Sequence, residues 1–128
     1  MKYNYLPIPL YPDSPLAPIL EIEVCDPLQK KKERGICLLD TGADMTVIPN
    51  RIIVALELNP ATTVRCTDYK GEEKERGVYI VRIFLGNFEL FCGFCTETRE
   101  DIGLIGRDIL NQWVALFDGP KQEFSLKQ

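Results

Sequence analysis

Ile36-Cys37-Leu38-Leu39-Asp40-Thr41-Gly42-Ala43-Asp44 is the stretch on which the reading of this chain turns. Four apolar residues suit a short buried strand, and they run directly into an acid, a hydroxyl residue and a glycine. A carboxylate at the end of a buried strand is held by its neighbours while staying open to a cleft. Gly42 allows the backbone to turn there without a Cβ clash, and the Thr41 hydroxyl is suited to hold the turn by hydrogen bonding. Asp40 is therefore the first candidate for chemistry.

Upstream, Ile19-Leu20-Glu21-Ile22-Glu23-Val24 alternates apolar and acidic residues as a half-exposed strand does, and polar residues 26–35 turn it back into residues 36–39 as a hairpin. Residues 1–18 carry Pro7, Pro9, Pro12, Pro15 and Pro18. They are expected to form an extended, Pro-rich arm rather than a helix or a ladder-forming strand, because proline removes an amide donor and pins φ. Residues 19–128 then form the domain. Downstream, residues 51–58 suggest one or two helical turns, and residues 62–67 and 77–85 flank the polar run 68–76 as a long hairpin with a solvated tip. Gly86-Asn87 signals a turn before a strand over 88–95. Gly103-Leu104-Ile105-Gly106 reads as a small strand opening into a short helix over 107–113, and residues 114–117 and 123–126 close the chain as a hairpin about Asp118-Gly119-Pro120. This succession predicts an all-β fold, a closed antiparallel β-barrel-like domain with one short helix near the C-terminus.

Composition narrows the chemistry. The 128 residues contain no histidine, which excludes hydrolases built on a His base and zinc sites of the HExxH kind. The net charge of −4 and the lone basic cluster Lys30-Lys31-Lys32 leave no footprint for nucleic acid. No apolar run approaches the length of a membrane span or a signal peptide, so no membrane contact and a cytoplasmic location are expected. Five cysteines are an odd number, and Cys25, Cys37, Cys66 and Cys92 fall in or beside apolar runs, which suits buried thiols better than a disulfide framework. Cys92-Gly93-Phe94-Cys95 has the form of half a zinc or redox site, but no second pair accompanies it. No cofactor or metal is implied.

The order of apolar strand, Asp40-Thr41-Gly42-Ala43-Asp44, polar-tipped hairpin, and Leu104-Ile105-Gly106-Arg107-Asp108 leading into a helix resembles the retropepsins, the single-domain aspartic proteases. The likeness covers roughly residues 19–126. It implies one acid-protease half that works as a homodimer on a peptide or protein substrate, with Asp40, Thr41 and Gly42 as the catalytic triplet. Two carboxyls about 3 Å apart cannot both ionise and so share a proton. One Asp40 would act as general base on a water while its partner polarises the scissile carbonyl. The chain holds a single such triplet, so the second acid must come from a second copy.

By the same resemblance, Gly42, Asp44, Lys70 and Gly71 contact substrate, Asp44 and Arg107 form a structural ion pair, and residues 62–85 stand in the place of the flap. The tip departs from the family pattern in having one glycine, Gly71, among charges. Blander readings stand beside these: Asp-Thr-Gly as an everyday turn, Arg107-Asp108 as a surface charge pair at a helix start, and the charged tip as a solvated loop. Two functions are therefore carried forward, a homodimeric aspartic endopeptidase and a non-catalytic peptide-binding or assembly module that keeps the same fold.

Overall fold

The computed structural model describes residues 1–9, 11–67 and 70–128. Ten strands and two short helices are found among them: β1 (Lys2–Asn4), β2 (Ile19–Cys25), β3 (Lys32–Leu39), β4 (Val47–Pro49), α1 (Asn50–Ala55), β5 (Thr62–Thr67), β6 (Glu73–Leu85), β7 (Phe88–Thr98), β8 (Gly103–Ile105), α2 (Arg107–Leu110), β9 (Val114–Asp118) and β10 (Glu123–Lys127).

Alternation along the strands explains the core. Leu20, Ile22 and Val24 of β2, Cys37 and Leu39 of β3, and Tyr79, Val81 and Ile83 of β6 are all buried in one cluster. Every second residue thus points to the same interior, as the period of a pleated strand requires. The strands follow the order β2-β3-β8-β4-β7-β6, and β6 pairs back onto β2, which closes a six-stranded barrel. β6 reaches both neighbours by its length. Residues 73–78 pair with β5, and Arg82, Ile83 and Phe84 pair with Cys25, Val24 and Glu23. A register shift between Ile83 and Phe84 in the pairing to β7 adds the local bend that closure needs.

Most of the pairing is antiparallel, as the turn-rich sequence predicts, but β3–β8 and β4–β7 are parallel. Both parallel pairs join strands distant in sequence. α2 is shorter than expected: the helix ends at Leu110, and single-turn bonds from Gln112 N to Ile109 O and from Trp113 N to Leu110 O finish the segment.

A second, three-stranded sheet has the order β1-β10-β9. Here the arm differs from expectation, because Lys2, Tyr3 and Asn4 form a ladder with Ser125, Phe124 and Glu123. The reason is local: the first proline is Pro7, so residues 2–4 keep every amide donor. Tyr3 stacks on the buried Phe124 ring at 5.2 Å, and the Met1 ammonium donates to Leu126 O at 3.1 Å. Leu10 of the arm and Asp68 and Tyr69 of the hairpin tip lie outside the described residues. Of the five cysteines, all free, Cys25, Cys37 and Cys95 are buried, whereas of the others expected to be buried Cys66 is only half-buried and Cys92 is exposed on the outer face of β7. No helix is long and apolar enough to cross a membrane among the described residues.

Candidate active site

Asp40 follows the last residue of β3, where the ladder to β8 gives way to a turn. Its amide donates to Ile105 O at 3.0 Å, and its carbonyl accepts from Ala43 N at 3.2 Å, closing the turn over Thr41 and Gly42. The Gly42 amide donates to Asp40 Oδ1 at 2.8 Å. One carboxylate oxygen is thereby fixed while the residue stays half-buried. A Cβ on Gly42 would lie 3.1 Å from that same oxygen, so any larger residue there would push the carboxylate aside by a few tenths of an ångström. The bonds that close this turn come from the Asp40 carboxylate and the backbone, in place of the expected Thr41 hydroxyl.

Arg107, the first residue of α2, reaches back across the loop. Its Nη1 donates to Thr41 O at 2.7 Å, and its Nη2 donates to Asp44 Oδ1. Asp44 and Arg107 are therefore in ion-pair contact, but the Asp44 side chain is 89% exposed and that of Arg107 43%. The expected structural pair is thus a surface contact, with water competing for the Asp44 charge.

The deeper support comes from residues to which sequence reasoning assigned no such role. Thr46, wholly buried, donates through Oγ1 to Asp108 Oδ1 at 2.7 Å and through its amide to Asp108 Oδ2 at 2.9 Å. The same hydroxyl accepts from Gly106 N at 3.1 Å, and Asp108 Oδ1 also accepts from Ile109 N at 2.9 Å. Asp108 thus pins the loop after Asp40 to the start of α2 and is no surface charge. An acid in the first turn of a helix was the available signal; its partner 62 residues away was not. Gly106 completes the clamp, because a Cβ there would meet the backbone of Met45 at 2.8 Å and Ala43 O at 2.9 Å.

Lys70 and Gly71 lie apart from this cluster, in the turn between β5 and β6, with Gly71 at φ 81° in the left-handed region. No group of three or more His, Cys, Asp or Glu residues is placed to share a metal ion among the described residues.

A strand-end acid held by its own glycine amide, clamped through Arg107 and Asp108 from a distant helix, is set in a closed barrel. Residues 31–109 match the family model of the aspartyl proteases. The chain belongs to that family. The barrel with its short helix is the retropepsin fold. The simian foamy virus (mac) protease is 18% identical with a TM-score of 0.54, the match covering 73% of this chain and 92% of that one. The EIAV protease, in complex with the inhibitor HBY-793, is 20% identical with a TM-score of 0.54, over 75% and 86% of the two chains. A retropepsin-like aspartic protease from Rickettsia conorii is 13% identical with a TM-score of 0.56, over 97% and 88%. No curated protein sequence is a significant match. In this aspartyl protease, burial pushes the thiols of Cys37 and Cys95 up to about 12, so neither is a nucleophile at neutral pH.

Proposed function

We propose that the chain is an aspartic endopeptidase active as a homodimer, in which two Asp40 carboxyls share one proton across a two-fold axis. The unprotonated partner removes a proton from a water molecule, the protonated one polarises the scissile carbonyl, the water adds to the carbonyl carbon, and the tetrahedral intermediate then breaks its C–N bond as a dyad proton passes to the leaving amine. The supporting observation is the Asp40 turn: one oxygen is held by Gly42 N at 2.8 Å in a half-buried, reachable position. Orientation of this kind is what a dyad requires before a second acid approaches.

A single acid is incomplete for this mechanism, and the terminal sheet offers a place for the second copy. β9 is an edge strand, with Val114 65% and Leu116 66% exposed. Its residues 114–117 carry no lysine, no proline and no charge to blunt that edge. Asp44, on the rim beside Asp40 and paired with Arg107, is suited to accept from substrate backbone amides, and Lys70 and Gly71 to cover the substrate as a flap tip.

The test is cleavage of an unbiased peptide library by wild type and Asp40→Asn across dilution and pH. The expected result is cleavage by wild type alone, falling more steeply than enzyme concentration on dilution and following a bell-shaped pH profile in the acid range. Equal cleavage by both proteins would overturn the proposal. Cleavage by neither would favour the non-catalytic binding module.

A further inference from the structure

The hairpin of β5 and β6 carries two cations, Lys74 and Arg76, that make no ion pair among the described residues. On β6, Lys74 and Arg76 stand opposite Cys66 and Val64 of β5, so the two side chains share one face, about 7 Å apart along the strand. This face and the pair Val47 and Thr96 enclose a cavity of about 190 Å³. Val47 and Thr96 are register partners, and Val47 also opposes Leu104, which in turn opposes Leu38, two residues before Asp40. The cavity therefore lies along the strand that leaves the Asp40 turn.

Two acids, Glu72 and Glu97, line it as well. Glu97 accepts from Asn50 Nδ2 at 3.1 Å and is hydrogen-bonded with Tyr79, and Glu72 is also partnered. Neither Lys74 nor Arg76 has a carboxylate within ion-pair reach among the described residues. A second cavity of about 320 Å³ adjoins the same two side chains and is lined also by Arg99 and by the carboxylates of Glu75 and Glu97; Arg99 has no ion-pair partner among the described residues. Arg76 is half-buried, so its charge is partly removed from water and gains most from a fixed anion.

We infer that the space beneath this hairpin is a subsite for an acidic side chain, aspartate or glutamate, of the bound peptide, read by Arg76 and Lys74. The inference rests on the proposed peptide cleft and concerns which peptides enter it. A carboxylate placed between the two cations accepts from both, with Arg76 offering the paired N–H geometry that a carboxylate matches. An amide of the same shape offers only one acceptor oxygen and no charge.

The experiment measures binding before cleavage. Asp40→Asn protein is titrated with peptide pairs that differ only in Asp against Asn, or Glu against Gln, at each position in turn. At one position the acid is expected to bind roughly tenfold tighter than the amide, the worth of one charge-assisted hydrogen bond. That ratio collapses towards one in the Lys74→Gln/Arg76→Gln double variant, and Arg76→Glu inverts it towards lysine. Acid and amide peptides bound equally at every position, or no peptide bound at all, would overturn the inference. Cleavage by wild type is then scored separately: cleavage without acid preference leaves the peptidase standing and removes the subsite, whereas acid-selective binding without cleavage does the reverse.

Discussion

At the level of single residues, the structure separates two carboxylates that look alike in the sequence. Asp44 faces solvent and pairs with Arg107, so Asp44→Ala is expected to change stability by about 0–1 kcal/mol, as exposed pairs do. Thr46→Val removes the hydroxyl shared by Asp108 and Gly106 N inside the fold. It is expected to cost about 1–3 kcal/mol, because buried polar groups lose their partner. Chemical denaturation of both variants checks the contrast, and a larger loss for Asp44→Ala would reverse the assignment of support. The buried thiols add a pH dependence. Burial raises Cys37 and Cys95 from an ordinary value of 9.0 to about 12. Below pH 9 the folded and unfolded chains hold these protons equally. Above it the unfolded chain releases protons that the folded chain retains, so stability falls as pH rises from 9 towards 12. Melting curves across that interval are expected to decline, and Cys95→Ala to flatten the decline. With a thiol reagent at neutral pH, Cys66 and Cys92 are expected to react fast in the folded protein, with Cys25, Cys37 and Cys95 reacting only on unfolding.

At the level of elements, local pairing was legible and distant pairing was not. The hairpin of β2 with β3 and that of β9 with β10 follow from alternation and turn residues that are adjacent in sequence. The parallel contacts of β8 with β3 and of β7 with β4 depend on strands dozens of residues apart, and nothing periodic in either segment names its partner. The site divides in the same way: Asp40 and Gly42 announce themselves within one turn, whereas the Asp108 clamp exists only once α2 is laid against the loop. β9 carries a prediction of its own. Leu116 is exposed, so Leu116→Lys is expected to leave the monomer's melting temperature nearly unchanged. A lysine on that edge disfavours strand addition by a second copy. Sedimentation and peptide cleavage are therefore expected to fall together, and a variant that remains dimeric would exclude β9 from the interface.

For the whole molecule, the barrel and the terminal sheet share one interior, since Phe124 and Leu126 of β10 are buried in the same cluster as Leu20 and Val81. The terminal sheet is thus joined to the core that positions Asp40, and truncation of β10 is expected to lower the stability of the entire fold. β1 runs antiparallel to β10, with Lys2 opposite Ser125 and Leu126 N donating to Met1 O at 2.9 Å. Whatever polypeptide precedes β1 and whatever follows β10 must depart from the same corner. Joining the two ends through a short flexible linker would make a ring with little distortion, and the ring could then be opened at the exposed turn between β9 and β10. Such a permuted chain is expected to fold to the same barrel. The closed ring is expected to melt higher than the linear chain, because the unfolded state loses the freedom of its ends.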